Sequence, residues 1–275
     1  SWSSPARSSA PPGSPPGRSS PERGARLSAG WPPTLGGFAI HHHARLASTQ
    51  DEARRLARTG ERDVVVVADE QTGGHGRRGR SWTSPPGNLY ATVVAAPGFA
   101  PAYRPAASLI AATALCRAIE DLAPAAVPVA VKWPNDVLLD GRKLAGLLLE
   151  ITGDDAVLIG CGVNVRTAPP EFPEAATLAG AGVETTAPRL LERFLGAWRA
   201  AADGLAAGDT TSWRDDWLAR AAGLHRPLRV SLPERTLVGL HRGIDAHGAL
   251  RVETAEGIET VVAGDVELVR LGETS

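Results

Sequence analysis

Methionine and cysteine are scarce in this chain of 275 residues. It has no methionine and two cysteines, Cys116 and Cys161, which both lie in apolar stretches. Two cysteines in apolar stretches are not typical of a fold held together by disulfides, so we expect a reduced, cytosolic chain with both thiols in its core. Because the first residue is Ser1, we also expect that a start residue was removed or that the sequence is a fragment.

Net charge and long apolar runs are lacking as well. The 29 basic and 30 acidic residues leave a formal charge of -1, so the molecule as a whole has no charge that would attract nucleic acid or an anionic membrane. Any anion binding must therefore come from a local basic cluster. No apolar run is long enough to cross a bilayer, and no signal peptide is visible.

Composition divides the chain into three parts. Residues 1–37 are rich in Ser, Pro, Gly and Arg, and they cannot bury enough apolar surface to offset their ordering entropy, so we predict a disordered tail. Residues 38–223 carry strand and helix patterns typical of one large domain. Residues 224–275 contain short alternating strands interrupted by glycines, which predict a small β-barrel.

The large part has clear local signals. Ser48 or Thr49 is placed to cap a helix, and the four valines between Asp63 and Asp69 are typical of a buried strand. Asp140-Gly141 predicts a tight hairpin. Further strands are predicted over 89–96, 127–132, 136–139, 144–151 and 156–165, and helices over 105–122, 188–206 and 211–222.

Three consecutive histidines, 41–43, allow several interpretations. They could be the remnant of a tag, a metal site or part of a strand flanked by Phe38, Ile40 and Leu46. No acidic or cysteine partner lies close in sequence, so the strand is favoured over the metal site.

Residues 73–82, Gly-Gly-His-Gly-Arg-Arg-Gly-Arg-Ser-Trp, follow the valine strand. Glycines let backbone N–H groups approach an anion, and the arginine fork matches carboxylate and phosphate oxygens, which together predict a mobile anion clamp. Residues 74–79 also match the dinucleotide fingerprint G-x-G-x-x-G, but 84–87, Ser-Pro-Pro-Gly, cannot start the helix that this fingerprint requires. A solvated basic loop that touches RNA is the remaining alternative.

Two segments, 132–136 and 142–146, flank the predicted hairpin. Strand alternation directs Lys143 away from Leu144, so its ammonium group either extends to solvent or faces a polar pocket. Gly146 leaves space for a ligand, as do the glycines of the strand 159–165. Asn164 in that apolar strand needs hydrogen-bond partners. Each feature taken alone also has a purely structural explanation.

Taken in order, these segments resemble the catalytic domain of biotin protein ligases, and the similarity extends over about residues 38–270. The matching segments are 48–50, 69–72, the Gly/Arg loop through Trp82, 88–90, 132–136, 142–146 and 160–164. The resemblance implies an α+β fold in which a mixed or antiparallel sheet flanked by helices, as in class II synthetases, is followed by a small SH3-like barrel. It implies ATP-dependent activation of biotin to biotinyl-5′-AMP and transfer of biotin to a carrier lysine, by a monofunctional enzyme that lacks an N-terminal DNA-binding domain.

The resemblance also implies a role for particular residues. Those expected to bind biotin are Ser48, Thr49, Gln71, Gly74, Lys143, Gly146 and Gly162. Those expected to bind the nucleotide are His75, Arg77, Arg78, Arg80, Trp82, Asn135, Lys143 and Asn164. Lys143 and Arg77 are the expected catalytic residues, and Asp136 is a weaker candidate for a magnesium ligand. His75 replaces an arginine of the family loop, which predicts a weaker or pH-dependent clamp there.

The resemblance implies biotin and ATP as substrates, Mg²⁺ as cofactor and a biotin carboxyl carrier domain of acyl-CoA carboxylases as partner. It also suggests a monomer or weak homodimer in the cytoplasm, with no membrane and no DNA bound. Three alternatives stay open: a lipoate or octanoate ligase of the same fold, a nucleic-acid-binding regulator, and an interaction protein without activity. Residues 1–37 are too short and proline-rich for a helix-turn-helix.

Overall fold

The computed structural model describes residues 30–152 and 156–269, and its larger part is a sheet of eight strands. The strands are β1 (Thr34–Leu35), β2 (Phe38–His43), β3 (Val64–Ala68), β4 (Leu89–Ala95), β5 (Val129–Lys132), β6 (Asp136–Leu139), β7 (Arg142–Thr152) and β8 (Ala156–Val163). Their order is β1-β2-β3-β4-β8-β7-β6-β5. Among the strands described here, β2 and β3 alone pair in parallel, so the predicted mixed or antiparallel sheet is confirmed as a mixed one.

Helices cover both faces of this sheet. They are α1 (Thr49–Arg58), α2 (Ala107–Leu122), α3 (Ala187–Ala206) and α4 (Ser212–Ala219). Val64 and Val66 of β3 pack with α1, whereas Val65 and Val67 face the core that contains α2 and α3. Burial on both faces explains why β3 is a continuous apolar run instead of an alternating one.

The start of the first sheet agrees with the sequence predictions only in part. The histidines 41–43 lie in β2, as the strand interpretation predicts, and His42 Nε2 lies 3.0 Å from Asp69 Oδ2. The predicted tail 1–37 extends too far, because β1 lies within it and Trp31 stacks on His42. Residues 1–29 of that predicted tail lie outside the described residues.

The second sheet is antiparallel and has five strands. They are β9 (Pro227–Ser231), β10 (Thr236–Ile244), β11 (Leu250–Thr254), β12 (Gly257–Val261) and β13 (Asp265–Leu268), in the order β12-β11-β10-β9-β13. The predicted small β-domain is confirmed, although residues 224–269 show no β12–β13 pairing that would close it. Leu237 is buried and Val238 is 58% exposed, so β10 turns Leu237 towards the core.

Direct contacts hold this second sheet against the first. The Trp133 indole Nε1 donates to Gly248 O at 3.0 Å, and Arg214 Nε donates to Ile244 O at 3.0 Å. A Cβ on Gly243 would lie 2.7 Å from the Leu218 side chain, which shows how closely the two parts approach. The docking brings the β12-to-β13 end of the small sheet beside the Gly/Arg loop.

Other local predictions are confirmed. Asp140 and Gly141, with φ of 51° and 71°, form the two-residue turn between β6 and β7. Cys116 and Cys161 are free and buried, and burial raises the pKa of each thiol to about 12. Within the described ranges, no helix is long and apolar enough to cross a membrane.

Candidate active site

A cavity of about 590 Å³ lies on the α1 face of the large sheet, within the size range of small-molecule sites. It is bordered by the start of α1, the Gly/Arg loop and the middle of β7 and β8. The predicted site residues that line it are Ser48, Thr49, Gln71, His75, Arg77, Arg80, Trp82, Asn135, Asp136, Lys143, Gly146, Gly162 and Asn164. Gly74 and Arg78 do not line the cavity, so the predicted contact of these two residues with a ligand is not seen in its lining.

The Gly/Arg loop folds back on itself as a narrow hairpin. Trp82 N donates to Gly74 O at 2.9 Å, Gly76 N donates to Arg80 O at 2.7 Å, and a 3-10 turn closes the tip at Arg77–Gly79. The dinucleotide fingerprint is therefore wrong, because no α-helix follows its third glycine. Gly74 is required at the base of this hairpin, since a Cβ there would lie 2.5 Å from Trp82 O.

Arg77 reaches from the tip of the loop into the cavity. Its Nη1 lies 3.3 Å from Asn135 Oδ1 and 3.4 Å from Gly264 O, and its side chain is 22% exposed. Burial lowers the pKa of this guanidinium, yet arginine stays charged at neutral pH. Its partners are neutral or 3.9 Å away at Asp265 Oδ1, so much of its charge is available to an anionic ligand.

Asp265 at the start of β13 connects the loop with the small sheet. Arg78 Nη1 donates to Asp265 Oδ2 at 2.7 Å, and Arg80 Nη2 donates to Asp265 Oδ1 at 3.1 Å. Arg78 has φ of 57°, which turns its side chain outward to this carboxylate and explains why it misses the cavity. The loop is thus attached to a part of the chain almost 190 residues away.

Lys143 is another cation that lines the cavity. Leu144 is fully buried and Lys143 is exposed to the cavity, as strand alternation predicts. The Lys143 Nζ lies 2.8 Å from Asp136 Oδ1 on the neighbouring strand β6 and 5.4 Å from the centre of the Trp82 ring. A carboxylate and an aromatic face together hold the ammonium group in place.

Trp82 lies on a flat platform formed by two glycines. Gly146 and Gly162 are opposite each other on β7 and β8, and a Cβ on Gly162 would lie 2.5 Å from the Trp82 Nε1. A Cβ on Gly146 would lie 3.1 Å from the same ring. The predicted space above these glycines is therefore real, and in this structure the indole occupies it. Its buried Nε1 has no hydrogen-bond partner in the described part of the chain.

The end of the cavity beside α1 is polar. The Gln71 Oε1 accepts from Thr49 N at 2.8 Å and from Thr49 Oγ1 at 3.1 Å, while Gln71 Nε2 donates to Ser84 Oγ at 3.0 Å. Ser48 caps α1 by accepting from Asp51 N at 3.4 Å, as predicted, which leaves its own hydroxyl hydrogen free to donate. Ser48 and Gln71 can thus each offer one further donor to a ligand.

Two asparagines maintain the walls. Asn135 Nδ2 donates to Leu147 O at 2.7 Å, and its Oδ1 receives Arg77, so it couples the loop to β7. Asn164 is buried and donates through Nδ2 to Ala176 O at 3.2 Å, which supplies the partner that the sequence requires. Both line the cavity, and the amide group of each already forms hydrogen bonds within the protein.

Sequence reasoning assigned no role to three residues of this region: Gln50, Thr92 and Asp265. Gln50 and Thr92 line the cavity and are almost fully buried. A polar residue within an apolar strand, as at Thr92, was an available signal. Asp265 had none, because its partners are distant in sequence.

Comparison with known proteins identifies the family. The model described as "Biotin/lipoate A/B protein ligase family" matches residues 43–164, and "Biotin protein ligase C terminal domain" matches residues 224–269. The biotin--[acetyl-CoA-carboxylase] ligase of Paracoccus denitrificans is 35% identical over 81% of this chain and 98% of its own length. The bifunctional ligase/repressor BirA of Bacillus subtilis is 32% identical over 85% of this chain and 75% of its own length.

A solved structure agrees with the sequence matches. The biotin protein ligase from Aquifex aeolicus, in complex with biotin and ATP, superimposes with a TM-score of 0.72 at 26% identity, covering 84% of this chain and 98% of that one. The chain belongs to the biotin protein ligase family.

Proposed function

We propose that this chain activates biotin with ATP to give biotinyl-5′-AMP and pyrophosphate, and then transfers the biotinyl group to a lysine of a biotin carboxyl carrier protein. One observation carries the proposal: a single cavity joins the polar pocket of Ser48, Thr49 and Gln71 to the cations Lys143 and Arg77. A ligand with a hydrogen-bonding ring at one end and a carboxylate at the other matches this distribution.

The first step brings two anions together. A carboxylate oxygen of biotin attacks the α-phosphorus of ATP, and the bond from that phosphorus to the pyrophosphate oxygen breaks. Lys143 and Arg77 are already held by Asp136, Trp82 and Asn135, so they neutralise the developing charge with little reorganisation. The protein contributes position and electrostatics to this step.

Asp136 fits a magnesium ion only in part. One of its carboxylate oxygens already receives Lys143, and the cavity lining adds Glu174 as its second carboxylate. Magnesium commonly binds through one or two carboxylates together with nucleotide phosphates, so Asp136 is the residue that would hold it. When bound, the ion would neutralise phosphate charge.

The second step requires no nucleophile from this chain. A neutral lysine amine of the carrier attacks the acyl carbonyl, AMP leaves, and the amine proton passes to solvent or phosphate. The two thiols are buried, with a pKa raised to about 12, so neither is suited to act as a covalent acceptor. Closure of the Gly/Arg loop would keep water from the mixed anhydride until the carrier arrives.

The identity of the acid is tested by ATP–pyrophosphate exchange with biotin, lipoate or octanoate. Of the three acids, we expect only biotin to support exchange. The protein should then biotinylate a carrier domain, and it should not label a carrier whose target lysine is changed to arginine. Exchange driven by lipoate or octanoate would contradict the proposal and favour the related ligase. A salt-dependent gel shift with DNA would instead revive the nucleic-acid-binding regulator.

A further inference from the structure

A second, smaller pocket lies among α2, α3 and α4. It shares no lining residue with the cavity described above. Its volume is about 200 Å³, whereas an apolar cavity of roughly 150 Å³ in a protein core is already large enough to bind benzene. The pocket therefore has room for a molecule with one six-membered ring.

Small side chains on α3 leave this space open. Ala197, Ala201 and Gly204 line the pocket at spacings of four and three residues, which places them on one face of the helix, and Ala114 of α2 lines it as well. A Cβ built on Gly204 would meet no atom within 4 Å. Close packing does not require glycine at this position, so the three helices meet without filling the space between them.

Trp213 of α4 brings a hydrogen-bond donor to the pocket. It lines the pocket and is 6% exposed, and its buried indole Nε1 has no hydrogen-bond partner among residues 30–152 and 156–269. Buried indole N–H groups normally have an acceptor, and leaving one unpaired costs free energy. A ligand that presents an acceptor would supply the missing bond.

The charged side chains that line the pocket already have partners. Arg117 Nε donates to Asp216 Oδ2 at 2.7 Å, and Asp209 Oδ1 accepts from Ser212 N at 3.0 Å at the start of α4. A charged ligand would have to compete with these contacts and lose its own hydration, whereas an uncharged one would not. The matching ligand is therefore neutral and mostly apolar, and it carries an acceptor for Trp213.

We propose that this pocket is a second ligand site, which binds a small uncharged cyclic compound with a carbonyl oxygen. The ring lies against Gly204, and the oxygen accepts from Trp213 Nε1. This inference goes beyond the proposed function and does not depend on it. Arg214 of the same helix donates to Ile244 O of the small sheet at 3.0 Å, so the ligand would contact the helix against which that sheet packs.

Cyclohexanone is a suitable probe, and saturation-transfer NMR titrations measure its affinity for the full chain. We expect saturable binding to the wild-type protein. Trp213→Phe keeps an aromatic ring and removes the N–H, so it should weaken binding about fivefold, as expected for one hydrogen bond. Trp217→Phe is the matched control. It removes another buried indole N–H of α4 that has no partner in the described residues, but it lies outside the pocket and should bind cyclohexanone as wild type does.

A change of volume locates the ring. Gly204→Leu adds a side chain within the pocket and should abolish binding. Gly196→Leu is its control, because a Cβ there also meets nothing within 4 Å and Gly196 does not line the pocket. Thermal unfolding establishes that both variants are folded.

Three results would overturn the proposal. Equal affinity in folded Gly204→Leu and Gly196→Leu would place cyclohexanone elsewhere on the protein. Equal affinity in Trp213→Phe and Trp217→Phe would exclude the indole N–H as the contact. A wild-type protein without saturable binding would show that the pocket does not take this class of ligand.

Discussion

At the scale of single residues, the cavity depends on one lysine in an arginine-rich chain. Of the 29 basic residues, only Lys132 and Lys143 are lysines, and Lys143 alone lines the cavity. Its compact ammonium group fits between Asp136 and the Trp82 ring, where a planar guanidinium would need more width. Both the shape and the charge of the side chain therefore favour lysine at position 143.

We expect Lys143→Ala to lower the rate of adenylate formation by about 100-fold to 1,000-fold, because a fixed positive charge is lost where phosphate charge develops. Pyrophosphate release in single-turnover reactions measures this rate. Lys132→Ala removes the same charge outside the cavity and serves as the control. Near-normal pyrophosphate release from a folded Lys143→Ala protein would remove Lys143 from the mechanism.

Gly162 provides a second residue-scale prediction. In Gly162→Ala the new Cβ would be 2.5 Å from the Trp82 Nε1, so the indole must leave its platform. We expect the KM values for biotin and ATP to rise about tenfold or more, in line with the precision that such sites require. Gly196→Ala in α3, where a Cβ would meet nothing within 4 Å, is the matched control, and equal KM values in the two variants would contradict the platform role.

At the scale of elements, the Gly/Arg loop is a hairpin whose tip places Arg77 over the cavity. Two parts of the loop have different tasks. Gly74 at its base allows the backbone strands of the hairpin to approach closely, whereas the tip lines the cavity that a ligand would fill. The loop is therefore expected to act on the adenylate after it forms, as well as during its formation.

We expect Arg77→Ala to release biotinyl-AMP into solution several times faster than wild type, because one charged contact to the intermediate is lost. Filtration after a single turnover separates free from bound adenylate. Arg229→Ala changes an exposed arginine that pairs with Glu267 away from the cavity, and this variant should retain the intermediate. Equal retention by Arg77→Ala would show that the loop does not hold the adenylate.

At the scale of the whole molecule, the small sheet contributes to the site through Asp265. In Asp265→Asn the attachment of Arg78 and Arg80 weakens, and we expect the KM for ATP to rise several-fold while the melting temperature changes little, because exposed ion pairs add at most about 1 kcal/mol. Glu267→Gln, on the same strand, is the control. An unchanged KM would mean that the small sheet does not influence the loop.

Stability of the whole chain should fall on acidification because of His241. It is 2% exposed, accepts from Gly243 N through Nδ1 at 2.9 Å, and has its pKa lowered by burial to about 4. The unfolded chain takes up this proton near pH 6.5 and the folded protein only near pH 4, so stability is full above about 6.5 and decreases by on the order of 3 kcal/mol as pH falls to 4.

Urea unfolding at pH 7.5 and pH 5 measures this linkage. His241→Asn keeps an acceptor for Gly243 N and cannot gain the proton, so its loss of stability between the two pH values should be smaller than in wild type. His247→Gln, in an exposed turn, is the control and should behave as wild type does. An identical pH dependence in all three proteins would exclude His241 as the source.

Local pattern was sufficient for most elements, whereas the family resemblance was needed to group the residues of the cavity. Ser48 caps α1, the four valines form β3, Asp140-Gly141 turns the β6–β7 hairpin, and Lys143 faces away from Leu144, because each depends on neighbours within a few residues. Thirteen of the predicted site residues line one cavity because the resemblance supplied their long-range grouping.

Long-range packing decided what the local pattern could not. The seating of Trp82 on Gly146 and Gly162, the Asp265 contact with the loop and the Thr92 hydrogen bond to Gln50 each join segments far apart in the chain. Short-range preferences act through the backbone of adjacent residues, whereas these contacts exist only after the sheet has brought distant residues within a few ångströms of one another.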